Sequence, residues 1–306
     1  MDKLSILKGY VDGEKIQLFV SDGEHCARGS DFSATLGQAD HYIHKDLPAL
    51  LISEELEDFL SLGWGMIESG KRTLEISQIH LLSPISENSK ILCAGFNYAK
   101  HNAENKLANP SIPYFFQRLF TTVIGPFEEI QKPKVTMKMD YETELAVMIG
   151  KKGKNIQVDD AKEYVAGYFV VNDVSFRDYQ FNEYNPDITK TFGQNWLYGK
   201  NMDRSFPSGP CFMPITMNKQ EHFEIETRVN GTKVQGASTS EMIFNISELI
   251  HYASRGVTLL PGDVISTGTP DGTAKGGGHA YLVDGDIVES TVKGIGTIKN
   301  LVVDEK

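Results

Sequence analysis

An acidic stretch that turns apolar halfway sets the first limits on this chain. It reads Asp140-Tyr141-Glu142-Thr143-Glu144-Leu145-Ala146-Val147-Met148-Ile149-Gly150. Side chains alternate faces along a strand, so Asp140, Glu142 and Glu144 share one face and Leu145, Val147 and Ile149 the other. Three carboxylates about 7 Å apart on one face repel each other. On a solvated edge that costs little and discourages edge pairing. The apolar continuation argues instead for a central strand, and buried carboxylates in a row want a cation. Carboxylate oxygens are hard ligands that suit Mg²⁺, Mn²⁺ or Ca²⁺. Asp173 offers a further oxygen where the apolar run 165–171 ends on a rigid support. The alternative for Asp173 is an Asx-turn that closes the strand.

The balance of charge narrows the function. The 306 residues carry 30 Lys plus Arg against 41 Asp plus Glu, a net −11. That opposes nucleic acid, where affinity comes from neutralised phosphates, and it opposes anionic membrane surfaces. No run approaches the roughly 18 apolar residues of a membrane span. The start, Met1-Asp2-Lys3-Leu4, has no apolar core of a secretion signal. Cys26, Cys93 and Cys211 are odd in number and far apart, so neither a disulfide framework nor a CxxC metal pattern is expected. A reducing, cytoplasmic setting is the expectation. The 28 glycines point to many tight turns and a β-rich chain.

Two units are expected, a small α/β unit over 1–85 and a mainly β unit over 86–306. In the first, residues 10–20 read as strand, turn and strand around Asp12-Gly13. Residues 54–68 read as a helix capped by Ser53, with Leu56, Phe59, Leu60, Trp64 and Ile67 on one face. Gly63 and Gly65 weaken that helix, and Gly70 ends it. The polar stretch 82–89 reads as the linker. Beyond it, strands are expected at 91–94, 141–149, 165–171, 264–267 and 287–292. A hairpin is expected from 223–229 to 232–235 around Asn230-Gly231. One later helix starts at Asn245, with Glu248 completing a capping box, and stops before Gly256.

Other residues could do chemistry. His101 and Glu104 are spaced i, i+3, so a helical turn puts them on one side, and a carboxylate beside an imidazole fixes its tautomer and raises its basicity. That suits a general base, although exposed His/Glu neighbours on helices are common. His41 and His44 lie in a polar loop, and His251 falls inside the capped helix. Arg177 and Lys200 could hold a substrate carboxylate, or could be a surface pair and a solvated turn. Thr267-Gly268-Thr269-Pro270 reads as a strand end where backbone comes close to something. Gly276-Gly277-Gly278 reads as a flexible loop. No P-loop, dinucleotide fingerprint, GxSxG elbow or HExxH is present.

Taken in order, these segments resemble the fumarylacetoacetate hydrolase superfamily. The match runs through Gly95–His101 with Glu104, Asp140–Gly150, Val165–Gln180, Gly199-Lys200, Gly209-Pro210, Val229-Asn230-Gly231 and Met242-Ile243-Phe244. It ends with Leu260–Pro270 and Gly294-Ile295-Gly296, and covers roughly residues 90–302. The first 85 or so residues resemble the variable leading domain of the bacterial members. The resemblance implies a mixed β-sandwich roll, a homodimer, and Mg²⁺ or Mn²⁺ held by Glu142, Glu144 and Asp173. Asp140 matches the start of the motif but is not usually a ligand in the shorter members. It further implies that His101 and Glu104 activate water or handle protons on a lid. Gln180 and Lys200 would position substrate and stabilise enolate charge, and Thr269 would lie near the keto-acid end. The chain departs from the family after Thr-Gly-Thr-Pro, where it continues Asp271-Gly272-Thr273-Ala274. The stretch 179–196, with Phe181, Tyr184 and Phe192, also resembles an insertion at the pocket rim.

The expected activity is a metal-dependent hydrolase that cleaves a C–C bond of an acylpyruvate. The alternatives are a decarboxylase or isomerase of a 2-keto or 2-hydroxy-dienoate diacid, and a metal-dependent binding protein without turnover.

Overall fold

The structure is a computed structural model that describes residues 4–35, 41–42, 45–218 and 220–306. The expected loop histidine His44 and the first three residues lie outside this set. The strand Thr143–Ile149 is buried at every residue. It pairs antiparallel with Val165–Asn172 on one side and with Val264–Ser266 on the other. Leu145, Val147 and Ile149 pack with Val170 and Ile265 on one face, and Ala146 and Met148 with Phe169 and Val171 on the other. After Glu144, therefore, both faces of this strand are core.

Around it runs a mixed sheet of twelve strands. Val264–Ser266 continues the sheet through Ile91–Gly95, its parallel neighbour, to Tyr114–Arg118. On the other side, Val165–Asn172 leads through Phe206–Pro214 to Ser5–Tyr10. A second sheet of five strands contains the hairpin Glu224–Val229 to Thr232–Ser238, then Ile287–Val292, Gly296–Asp304 and Ile130–Lys132. The chain is thus mainly β, with short helices at the margins. Asn230 and Gly231 turn the hairpin with φ of 51° and 79°, the left-handed pair that matches strand twist. Helix Ile246–Ala253 carries the expected reciprocal box, with Glu248 N–H donating to Asn245 Oδ1 at 3.0 Å and Asn245 N–H to Glu248 Oε2 at 2.8 Å.

Several expectations change. Ser5–Tyr10 and Gln17–Ser21 form the first hairpin, but its loop is the six residues 11–16 and not a two-residue turn. Ser53 does not cap the following helix. It closes a separate helix, Leu47–Ile52, which Asp46 caps and Pro48 opens. The chain then turns at Glu54, with φ of 59°, and the next helix runs Leu56–Ser69. The stretch expected as a linker is buried in its first half, at Ser83, Ile85 and Ser86. Ser83 and Ser208 share a hydroxyl hydrogen bond of 2.6 Å, so residues on both sides of position 85 meet in one sheet. Strands Phe206–Pro214 and Gly296–Asp304 escape the sequence reading. Three prolines and a glycine in the first, and Lys299 and Asn300 in the second, break the apolar pattern.

Gly63 has a reason that propensity misses. A Cβ there would fall inside van der Waals contact with the Val20 side chain, so helix 56–69 rests on the 17–21 strand only because the position is bare. Helix propensity alone predicts that Gly63→Ala stabilises by about 1 kcal/mol. Overpacking costs about 1–3 kcal/mol, so we expect a net loss of stability. Urea unfolding checks this, and a higher midpoint in the variant would contradict it.

Candidate active site

Three carboxylates converge because of strand register. Thr143 pairs with Asn172, which sets Glu142 beside Asp173 just beyond the ladder. The Asp173 N–H donates to the Glu142 carbonyl at 2.8 Å. One oxygen each from Glu142, Glu144 and Asp173 lies within 4.8 Å of the others, and all three residues are buried. Asp140 does not join them. The strand breaks at Tyr141-Glu142, and Met139–Asp140 pairs instead with Ser175–Phe176 in a separate ribbon. Asp140 faces Arg177 there, and accepts from the N–H groups of Ala274 at 2.8 Å and Lys275 at 3.2 Å.

Cations hold two of the three. Lys200 Nζ donates to Glu142 Oε2 at 2.5 Å and to Asp173 Oδ2 at 2.6 Å. Arg177 spends its fork on Glu142 at 2.5 Å, Asp140 at 2.8 Å and Gln180 Oε1 at 2.9 Å. Burial alone would raise the Glu142 pKa, but the charges of Lys200 and Arg177 outweigh it and hold Glu142 well below the usual carboxylate range. Among the described residues Glu144 accepts from neutral donors only, the Ser266 hydroxyl and the Gly268 N–H at 2.9 Å. Burial, reinforced by the charges of Asp173 and Glu142, pushes its pKa well above the ordinary value. An all-oxygen nest, already gripping an ammonium and holding one carboxylate without a cationic partner, fits a hard divalent cation.

His101 and Glu104 sit on helix Ala99–Glu104. His101 Nδ1 lies 3.0 Å from Glu104 Oε1. Burial opposes the Glu104 charge, but the bonds from His101, from Gly272 N–H at 2.9 Å and from the Thr273 hydroxyl prevail, and its pKa is lowered. The glycine run expected as a flexible loop is part of a short helix, Ala274–Gly277. It packs onto Glu104 so closely that a Cβ at Gly276 would overlap the carboxylate.

His101, Arg177, Gln180, Lys200 and Thr269 line one small cavity with the triad, about 30 Å³ in volume. Glu104 stands behind His101 and does not line it. The Thr269 hydroxyl donates to the Thr143 carbonyl at 3.0 Å and accepts from Gln235 at 3.0 Å, which ties it to the strand. Phe116 and Trp196 wall the cavity, their rings stacked at 4.7 Å. Of the other histidines, His41 pairs with Glu55 and His251 with the Ile156 carbonyl. In the 179–196 stretch Phe192 is 82% exposed and Tyr184 60%, while Phe181 lies under the Lys275 ammonium.

Sequence reading missed Arg118. It is fully buried and donates to Asp173 Oδ1 at 2.7 Å, Val174 O at 2.6 Å, Ser205 Oγ and O, and the Lys200 carbonyl. It therefore fixes a triad member and the backbone of the neighbouring lysine together. The available signal was an arginine closing the aromatic run Tyr114-Phe115-Phe116.

Residues 90–303 match the family model described as fumarylacetoacetate (FAA) hydrolase C-terminal. The chain is 38% identical over 257 residues to the mitochondrial oxaloacetate tautomerase fahd2 of Xenopus laevis, across 81% of this chain and 78% of that protein. Among solved structures it resembles a fumarylacetoacetate hydrolase from Exiguobacterium antarcticum, with a TM-score of 0.79 and 29% identity over 99% and 100% of the two chains. It also resembles the fumarylpyruvate hydrolase of Pseudomonas aeruginosa in complex with Mn²⁺ and pyruvate, with a TM-score of 0.64 and 30% identity over 74% and 92%.

Cation binding needs the Glu144 carboxylate ionised, which its raised pKa opposes. Divalent-cation affinity is therefore expected to rise with pH. Calorimetry in two buffers of different ionisation enthalpy should read about one proton released per cation. Glu144→Gln should abolish that release, and an unchanged release would place the proton elsewhere. The stability sign is the same. Without a cation the folded chain keeps a proton that the unfolded chain loses near pH ~4.3. Glu144's contribution to stability therefore falls as pH rises from there toward its raised folded value.

Proposed function

This chain belongs to the fumarylacetoacetate hydrolase family, and on that footing we propose that it catalyses keto–enol tautomerisation of a small 2-oxo dicarboxylic acid of the oxaloacetate type. The observation that carries the proposal is one base and one buried ammonium facing the same small cavity, His101 and Lys200. Tautomerisation needs little more than a base and an electrophile. The relative named an oxaloacetate tautomerase supports the same reading.

Glu142, Glu144 and Asp173 would hold the cation, Mg²⁺ or Mn²⁺. When bound, it supplies Lewis-acid polarisation of the 2-oxo group and charge for the enolate. The residues of the chain do the rest. Glu104 accepts from His101 Nδ1–H, which leaves the Nε2 lone pair free for substrate. His101 Nε2 removes the proton from C3, and the C–H electron pair becomes the enolate. Lys200 places a positive charge beside the enolate oxygen, which takes up a proton from solvent as the protonated His101 gives its own to solvent. In the reverse direction His101 returns the proton to C3. Arg177 and Gln194 hold Gln180, which positions the substrate.

The second reading is C–C hydrolysis of an acylpyruvate, favoured by the similarity to the fumarylpyruvate hydrolase. There His101 would deprotonate water, the hydroxide would attack the distal carbonyl, and a pyruvate enolate would leave. Products separate the two. Mg²⁺- or Mn²⁺-loaded protein should speed decay of enol oxaloacetate, followed by ultraviolet absorbance, with no change of mass. Pyruvate plus a carboxylic acid from an acylpyruvate, formed faster, would favour hydrolysis, and faster release of CO₂ would favour decarboxylation. His101→Ala should lower kcat by about 100-fold or more. Full turnover by that variant would reject both readings that use His101.

A further inference from the structure

Past Thr-Gly-Thr-Pro, where the chain departs from the family, Lys275 has no carboxylate within ion-pair distance among the described residues. Lys275 lies on helix Ala274–Gly277, pinned by its own N–H to Asp140 Oδ2 at 3.2 Å. Its ammonium sits over the Phe181 ring, 4.1 Å from the centroid, and donates to Asn105 Oδ1 at 3.2 Å. Asn105 follows the His101–Glu104 helix as its C-cap, and Phe181 follows Gln180. Lys275 is thus held between the element that carries the base and the element that carries Arg177 and Gln180.

The carboxylates around it are already taken. Asp140 pairs with Arg177, Glu142 with Arg177 and Lys200, and Glu183 with Lys138. Among the described residues Lys275 has no carboxylate within ion-pair distance. Burial, and after it the like charge of Arg177, lower its pKa against the weaker opposing pull of Asp140, Glu183 and Glu142. A lysine fixed by an aromatic face and one amide, with ammonium hydrogens to spare, is arranged to receive an anion.

We propose that Lys275 is a specificity-determining residue that binds the distal carboxylate of a dicarboxylate substrate. The proposal rests on the 2-oxo dicarboxylate reading above and names the residue that would distinguish a diacid from a monoacid. Proton transfer itself does not require Lys275. Its loss should act on binding of the second carboxylate, so KM for oxaloacetate should rise with kcat little changed.

The test compares two stable ligands of the same length, malate and 2-hydroxybutyrate, which differ by the distal carboxylate. Calorimetry on cation-loaded wild-type protein should show malate bound more tightly by about tenfold or more. In Lys275→Met that ratio should fall below about threefold, and Lys275→Arg should restore part of it. A ratio that survives in Lys275→Met would overturn the proposal. So would a wild type that binds malate no better than 2-hydroxybutyrate. Should the wild type lack tautomerase activity yet show a malate preference that depends on Lys275, the reaction assignment fails and the Lys275 site stands. Circular dichroism and the Lys275→Arg variant separate a loss of fold from a loss of the contact.

Discussion

A buried charge cluster with one carboxylate more than its cations underlies this structure. Asp140, Glu142, Glu144 and Asp173 meet Arg118, Arg177 and Lys200, all seven withdrawn from solvent. Removing such ions from water is expensive, and the cost is met only by close pairing and full hydrogen bonding. The guanidinium of Arg118 makes five hydrogen bonds. Arg177 grips three side chains. Among the described residues Glu144 is the cluster's carboxylate left to neutral donors.

The rest of the fold serves that cluster. The central strand is buried on both faces, so its end is a rigid place from which to project Glu144. The 165–172 strand delivers Asp173, and the short helix Arg177–Gln180 after the Ser175–Phe176 ribbon delivers Arg177. The 272–277 segment joins the two halves of the chemistry. It donates to Glu104 through Gly272 and Thr273, and to Asp140 through Ala274 and Lys275. Displacing this segment would therefore disturb the His101–Glu104 pair and the Asp140 partner of Arg177 together.

Two glycines illustrate how context outweighs propensity. Gly63 looks like a flaw in a helix, yet it allows that helix to rest on Val20. Gly276 looks like slack in a loop, yet it allows a turn of helix to touch the Glu104 carboxylate. Both are close approaches between segments far apart in the chain, which no local window can contain.

Local order was enough for the pieces whose causes are local. Alternation marked the acidic strand, i, i+3 spacing put His101 with Glu104, Asn230-Gly231 specified its hairpin, and Asn245 with Glu248 specified a helix start. The ordered motifs brought together Glu142, Glu144, Asp173, Lys200 and Arg177 as candidates, and the fold gathers them round one cavity. Alternation could not separate Asp140 from the triad, because the break at Tyr141-Glu142 depends on a ribbon made with Ser175–Phe176. Nor could it find Arg118, or that Lys275 rests on Asn105 and Phe181 with no carboxylate in ion-pair distance among the described residues. Whether a charge is paired depends on distances between segments a hundred residues or so apart, and only the packed sheet sets those distances.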